Sequence, residues 1–273
     1  MLKQRVITAI VLLAILLPSL FLLPQPAWAA LMAVLTAAAA WEWGGLLGWE
    51  QRSRLRLGAG ALILCLGMIG MGVLGKTDLP LVPVLLFSSV IFWLLLAPAW
   101  LRQQWKLQQA GAFPGILLGA AVLLPTWLAI SRLREIGPMP LLCMMAVVWI
   151  ADIAAYFSGR AFGKHKLAPS VSPGKTWEGA IGAGVAVLAY GVLLRDSAAG
   201  EFFRAVPLWL LLPALVVLTA VSIVGDLFES LLKRQAGIKD SSQLLPGHGG
   251  VLDRIDSLTS TLPLLALIAY FSA

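Results

Sequence analysis

Charge is scarce in this sequence. Asp, Glu, Lys and Arg make up 12% of its 273 residues, against about 25% in an ordinary soluble domain, while 60% are hydrophobic and the mean hydropathy is +0.90. That excludes a soluble globular chain, and with it any count of domains from length. Histidine is almost missing, with His165 and His248 alone. Cys65 and Cys143, the two cysteines, are far apart in apolar runs without CxxC spacing. No zinc-ligand pattern or disulfide framework follows, and both read as small core residues. There is no soluble domain, low-complexity tract or internal repeat. The net charge of +7 does not point to nucleic acid, because in so apolar a chain the placement of basic residues matters more than their sum.

What is present is a series of apolar segments. A helix needs about 20 such residues to cross a bilayer, and nine candidates occur: 6–23, 27–48, 57–75, 79–100, 111–130, 137–158, 178–194, 206–230 and 257–272. The expected fold is an all-α integral membrane protein, a polytopic bundle of about nine transmembrane helices with a cytoplasmic-facing polar cavity. Eleven Trp suit a protein with two membrane interfaces. With the N-terminus in the cytoplasm, 15 of the 20 basic residues fall on that side, among them Arg52, Arg54, Arg56, Lys164, Lys166, Lys233 and Arg234. Lys76, Arg132, Arg134, Arg195 and Arg204 fall opposite, and the excess sets the expected orientation. The opening stretch resembles a secretory signal with an A-x-A site at Ala27–Ala29, but its apolar run of 18 residues exceeds the usual 7–15. A retained first span is expected.

The chain divides by character. Residues 1–135 read as N-terminal transmembrane helices, a scaffold with a possible dimer and lipid-facing part. Residues 136–273 hold nearly all the unusual polar residues and read as a catalytic region. Asp152 lies near the end of one span; Asp226 and Glu229 lie near the end of another, in VSIVGDLFESLLKR. A charge at mid-membrane costs about 2.5–3.5 kcal/mol and usually faces a polar cavity. Asp226, Glu229, Ser230 and Lys233 share one helix face, either as intrahelical pairs or as a cavity wall. Asp253 and Asp256 open the last span, where one acid suffices for capping. Two acids flanking Arg254 after Gly247, Gly249 and Gly250 suggest more, since glycines let backbone approach a ligand, though Pro-Gly also simply makes turns. SPGKT at 172–176 is not a phosphate-binding P-loop: Pro169 stands where the pattern needs Gly, and no strand precedes it. Ser172, Lys175 and Thr176 remain possible phosphate donors. Glu178 suits either a helix cap or a metal shell, and His165 reads as an exposed loop residue. Carboxylates suit Mg²⁺ shared with substrate phosphate, and Lys and Arg suit phosphate oxygens. Together they indicate phosphoryl or nucleotidyl transfer, with one substrate a lipid.

SLLKRQAGIKDSSQLLPGHGGVLDRID, Ser230 to Asp256, resembles the signature of the phosphatidate cytidylyltransferases, S-x-x-K-R-x₄-K-D followed by P-G-H-G-G-x-x-D-R-x-D. DIAAYFSGRAFGKHKLAPSVSPGKTWEG and the opening LKQRVITA are also similar to this family, so the resemblance covers the whole chain. Gly174 departs from it, standing where many members carry lysine. The resemblance implies transfer from CTP to phosphatidate, giving CDP-diacylglycerol and pyrophosphate for phospholipid synthesis. It also implies a divalent metal, usually Mg²⁺ with a possible second cation, a homodimer, and residence as a multi-pass protein in a cell membrane, the bacterial inner membrane. In the site it implies, Asp226, Asp253 and Asp256 hold metal, and Lys233, Arg234, Lys239 and Arg254 neutralise phosphates. The glycine turn offers backbone donors, His248 gives a hydrogen bond or a proton, Asp240 orients neighbours, and Asp152, Ser172, Lys175, Thr176, Glu178 and Ser230 complete the substrate cavity. Two rivals stay open: a CTP-dependent lipid kinase, which differs in its products, and a transporter, against which stands the gathering of charge at one face.

Overall fold

A computed structural model of the protein describes residues 2–75, 79–109, 111–200, 203–204 and 206–272. Lys76, expected on the non-cytoplasmic side, lies outside these residues, as do Met1 and Ala273 at the ends of the two expected regions. The architecture is helical almost throughout. In chain order it comprises α1 (Leu2–Leu22), α2 (Gln25–Leu46), α3 (Gln51–Gly70), α4 (Leu81–Ile91) and α5 (Ala97–Gln103), then α6 (Ala112–Ile136), α7 (Pro138–Phe162), α8 (Trp177–Arg195), α9 (Leu208–Gln235) and α10 (Leu252–Ser272). One short hairpin, β1 (Lys166–Ala168) and β2 (Ser172–Thr176), joins α7 to α8.

Eight helical segments among the described residues are long and apolar enough to cross a membrane, α4 and α5 counting as one through an intervening π-turn. The protein is therefore a multi-pass membrane protein, as expected. The ninth expected span lies in α10, which opens on Asp253, Arg254 and Asp256 and is not among those eight. α10 packs against α6, α9, α4 and α7, and Ser257, Thr259, Ser260 and Thr261 are buried along it. A helix lined by protein need not be greasy. Its hydroxyls bond back to carbonyls one turn earlier, Thr261 Oγ1 to Ser257 O at 2.8 Å and Ser260 Oγ to Ser257 O at 2.9 Å.

The two chain halves interleave. α2 and α6 from the first half pack on each other, and α6 also lies against α10. Trp28 and Ala29, in the stretch that resembles a cleavage site, are fully buried within α2. The π-turn has a visible use. Its extra residue presents Phe92 and Trp93 to the same ring, Phe228 on α9, edge to face at 5.4 and 5.5 Å. With Trp100 at 5.9 Å from Phe228, this aromatic cluster holds the back of α9 while its polar face is turned elsewhere.

Candidate active site

α9 supplies the spine of the site. It ends at Gly237, whose φ of 70° suits glycine alone; Gly237 N donates to Arg234 O and Ile238 N to Lys233 O. The signature loop begins there. One turn of helix and more before this stop, Ser222, Asp226, Glu229, Ser230 and Lys233 form a single polar stripe.

The stripe serves two clusters. The first is a cavity of about 470 Å³ walled by α7, the hairpin, α8 and α9. It brings together five of the expected residues, Asp152, Ser172, Lys175, Thr176 and Asp226, and adds Ser222 and Arg160. Lys175 Nζ bridges the cavity to Asp226 Oδ2 at 2.5 Å, and both side chains stay about a quarter exposed. Ser230 Oγ donates to the other oxygen of Asp226 at 3.2 Å. The remaining wall is apolar, with Ala151, Ala155, Ala180, Ala183 and Ile223. SPGKT is itself the strand β2, paired antiparallel with β1, so it has no P-loop geometry. Thr176 caps α8, its Oγ1 accepting from Gly179 N at 3.1 Å.

The second cluster is a clasp on the signature loop. Lys233 Nζ sits between Glu229 Oε2 at 2.7 Å and Asp253 Oδ1 at 2.5 Å, all three largely buried. Asp253 Oδ2 accepts from Gly250 N, Ser241 N and Ser241 Oγ at 2.7–2.8 Å. The glycine turn closes through Leu245 N to Gly249 O and His248 N to Leu245 O, both 2.8 Å, with φ of 75° at Gly247 and 83° at Gly249. Arg254 Nε returns to His248 O at 2.9 Å. Both readings of the stripe therefore hold in part: Lys233 pairs within its helix to Glu229, while Asp226 turns to the cavity.

Asp256 lies between the clusters, on α10. It is within electrostatic reach of Asp226, Glu229 and Asp152. α9 and α10 approach closely at this level because residue 225 is glycine: a β-carbon there would meet Asp256 O at 2.8 Å and Ser260 Oγ at 2.5 Å.

Several expected residues do not line the cavity. Glu178 is engaged with His165, accepting from its backbone N at 3.2 Å and lying 2.7 Å from its exposed Nδ1. Arg234, Lys239 and Asp240 are exposed, and no ion pair involves them among the described residues. The turn offers fewer donors than expected, since the His248 and Gly250 amides are already bonded within the loop. The amide of Gly247 has no acceptor among the described residues, whereas Gly249 is bridged to Leu245. His248 Nδ1 is buried and has no partner among the described residues.

The expected metal trio Asp226, Asp253 and Asp256 is not assembled as a cage. Among the described residues no three acidic, His or Cys side chains converge to hold a metal, and Asp253 is bonded at both oxygens. The donor set fits a different arrangement. Asp226 on α9 and Asp256 on α10 lie within electrostatic reach of each other, and one or two carboxylates with water and substrate phosphate suit a hard cation.

One contributor escaped the sequence reading. Glu42 of α2, fully buried, accepts from Ser242 Oγ at 2.6 Å, Ser241 Oγ at 3.1 Å, Val251 N at 2.9 Å and Leu252 N at 2.7 Å. A signal existed: it is the single charged residue in the expected span 27–48, and an ionisable group at membrane depth asks for a function. Gly225 gave no such signal, since a glycine in an apolar helix carries no mark of what it admits.

Comparison with known proteins bears on this geometry. The model of the Cytidylyltransferase family matches residues 3–272. A phosphatidate cytidylyltransferase of Pseudomonas aeruginosa is 43% identical over 99% of this chain and 97% of its own length. One of Haemophilus influenzae is 37% identical over 99% of both. One of Brucella suis is 50% identical over 51% of each chain.

Proposed function

The chain belongs to the cytidylyltransferase family and is a nucleotidyltransferase; from that premise we propose that it transfers the cytidylyl group of CTP to phosphatidate, giving CDP-diacylglycerol and pyrophosphate. The observation that carries this reading is the cavity itself. It joins a carboxylate and lysine pair, Asp226 and Lys175, to an apolar wall of alanines at the end of long apolar helices. A lipid phosphate needs both: cationic and hydroxyl donors for its oxygens and an apolar surface for its stem.

The phosphatidate phosphate attacks the α-phosphorus of CTP, a P–O bond forms, and the bond to pyrophosphate breaks. A phosphate monoester is largely ionised at neutral pH, so the step needs neutralisation and alignment more than a strong base. Lys175 leaves Asp226 to meet a phosphate oxygen, and Ser172 and Thr176 donate from the hairpin end. Asp226 and Asp256 would hold Mg²⁺, while Lys233 and Asp253 stay paired and keep the signature loop in place beside them. Bound there, the cation supplies charge neutralisation at the phosphates. Arg234, Lys239 and Arg254 attract the nucleotide at the cytoplasmic face, where the basic loops set the orientation, and the enzyme works as a homodimer in the bacterial inner membrane.

The test uses purified protein in detergent with phosphatidate, Mg²⁺ and CTP labelled at the α- or γ-phosphorus, with and without EDTA. The expected outcome is EDTA-sensitive lipid label from α-labelled CTP alone. Lipid label from γ-labelled CTP alone marks a lipid kinase, and none from either overturns transfer altogether.

A further inference from the structure

We propose that Glu42, on α2, is the positioning residue of the active-site loop: its buried carboxylate fixes the start of α10 and so places Asp253, Arg254 and Asp256. The inference rests on the nucleotidyl-transfer reading of that loop. Four donors meet the two oxygens of this one side chain, and they come from both ends of the loop. Ser241 and Ser242 follow the exit from α9; Val251 and Leu252 open α10. The first amides of a helix have no partner inside it, and an anion at that end also meets the positive pole of the helix dipole. In most helices the preceding residue supplies the cap. Here it is supplied from α2, about 200 residues away in sequence.

Two further observations point the same way. Gly250 has no room for a side chain: a β-carbon there would run into the Glu42 carboxylate and the Ser241 hydroxyl. The glycine is thus fitted to the carboxylate as much as to its own turn. Ser241 Oγ is shared, lying 3.1 Å from Glu42 and 2.8 Å from Asp253 Oδ2. A displacement at Glu42 therefore reaches Asp253 through one hydroxyl, and Lys233 through Asp253. Glu42 touches neither cavity nor substrate, and its effect passes through the loop.

The experiment compares wild type, Glu42→Gln and Glu42→Asp as full-length protein in detergent, by hydrogen exchange of residues 241–256 and by kinetics of lipid labelling from α-labelled CTP at varied Mg²⁺. Glu42→Gln replaces one acceptor oxygen by a donor facing amide N–H groups. Exchange at Val251 and Leu252 is expected to speed at least tenfold with α7 unchanged, kcat to fall at least tenfold, and half-saturating Mg²⁺ to rise fivefold or more. Glu42→Asp keeps the charge and gives intermediate values. Wild-type exchange in Glu42→Gln overturns the proposal; faster exchange with unchanged kcat and Mg²⁺ dependence overturns the link from loop position to chemistry. If Glu42→Gln does not fold, Ser242→Ala decides, since it removes a single donor: exchange faster by twofold or more supports the proposal and unchanged exchange sinks it. If the wild type labels no lipid, the transfer reading falls, while exchange still decides whether Glu42 holds the loop.

Discussion

Two lysine–aspartate pairs share one face of α9, and they have opposite characters. Lys175 and Asp226 meet across an open cavity, each about a quarter exposed. Lys233 and Asp253 meet in the interior, at 13% and 5% exposure, with Glu229 as a second anion. Contact distance is the same in both. The surroundings decide what the contact can do. An ion pair reached by water contributes little to stability and exchanges readily. A buried one, once formed, leaves an uncompensated charge if a partner is lost, at about 3–5 kcal/mol. The first pair is suited to opening for an anionic substrate, and the second to holding the loop in register with α9.

The largest effect should come from removing the acid between the two pairs. Asp256→Asn is expected to cut metal-dependent turnover at least a hundredfold, about 2.7 kcal/mol of transition-state stabilisation, with folded protein retained. Near-normal turnover would remove Asp256 from the proposed metal site. Lys233→Met comes next and should lower both activity and stability, the latter by about 3–5 kcal/mol. A thermal midpoint unchanged from wild type would show that the inner pair is no clasp. Lys175→Met should separate the two properties. Turnover is expected to fall tenfold or more with the unfolding midpoint within a few degrees of wild type, and a large loss of stability would erase the distinction between the pairs. The smallest effect belongs to Ser230→Ala, which removes one hydrogen bond to Asp226, worth about 1 kcal/mol. It should reduce kcat/KM several-fold, and a hundredfold loss would give Ser230 a direct part in catalysis.

How much was legible follows from the kind of interaction. Spans are written in apolar runs, so eight of the nine expected appear as long apolar helices. α10 was placed correctly in sequence, but its burial was not legible. α10 packs against protein, whereas α1 leaves Val6, Ile10, Leu13 and Leu22 outside, and an apolar run does not say which of the two it will meet. Of the expected site residues, Asp152, Ser172, Lys175, Thr176 and Asp226 line one cavity, and they stand out in the sequence as membrane-depth acids and a basic loop. Their convergence was suggested by the motif, since residues 152, 175 and 226 come from three separate elements. Glu42 and Gly225 were missed because their meaning lies wholly in what opposes them: a helix start from the other end of the chain, and the backbone of α10.

One contact has a practical consequence. α1 reaches the glycine turn near its own beginning: Thr8 Oγ1 donates to Pro246 O at 2.8 Å, and Gly247 lies beside the aliphatic stem of Arg5. Much of α1 between there and its far end is bare. A fluorophore on an engineered cysteine at position 4 would therefore sit next to the glycine turn without entering the cavity, and any change at the turn when CTP is added would be followed as an optical signal in real time. A bulky affinity tag fused ahead of α1 would crowd the same turn, so an apparently sluggish preparation should first be assayed again with that tag cut away.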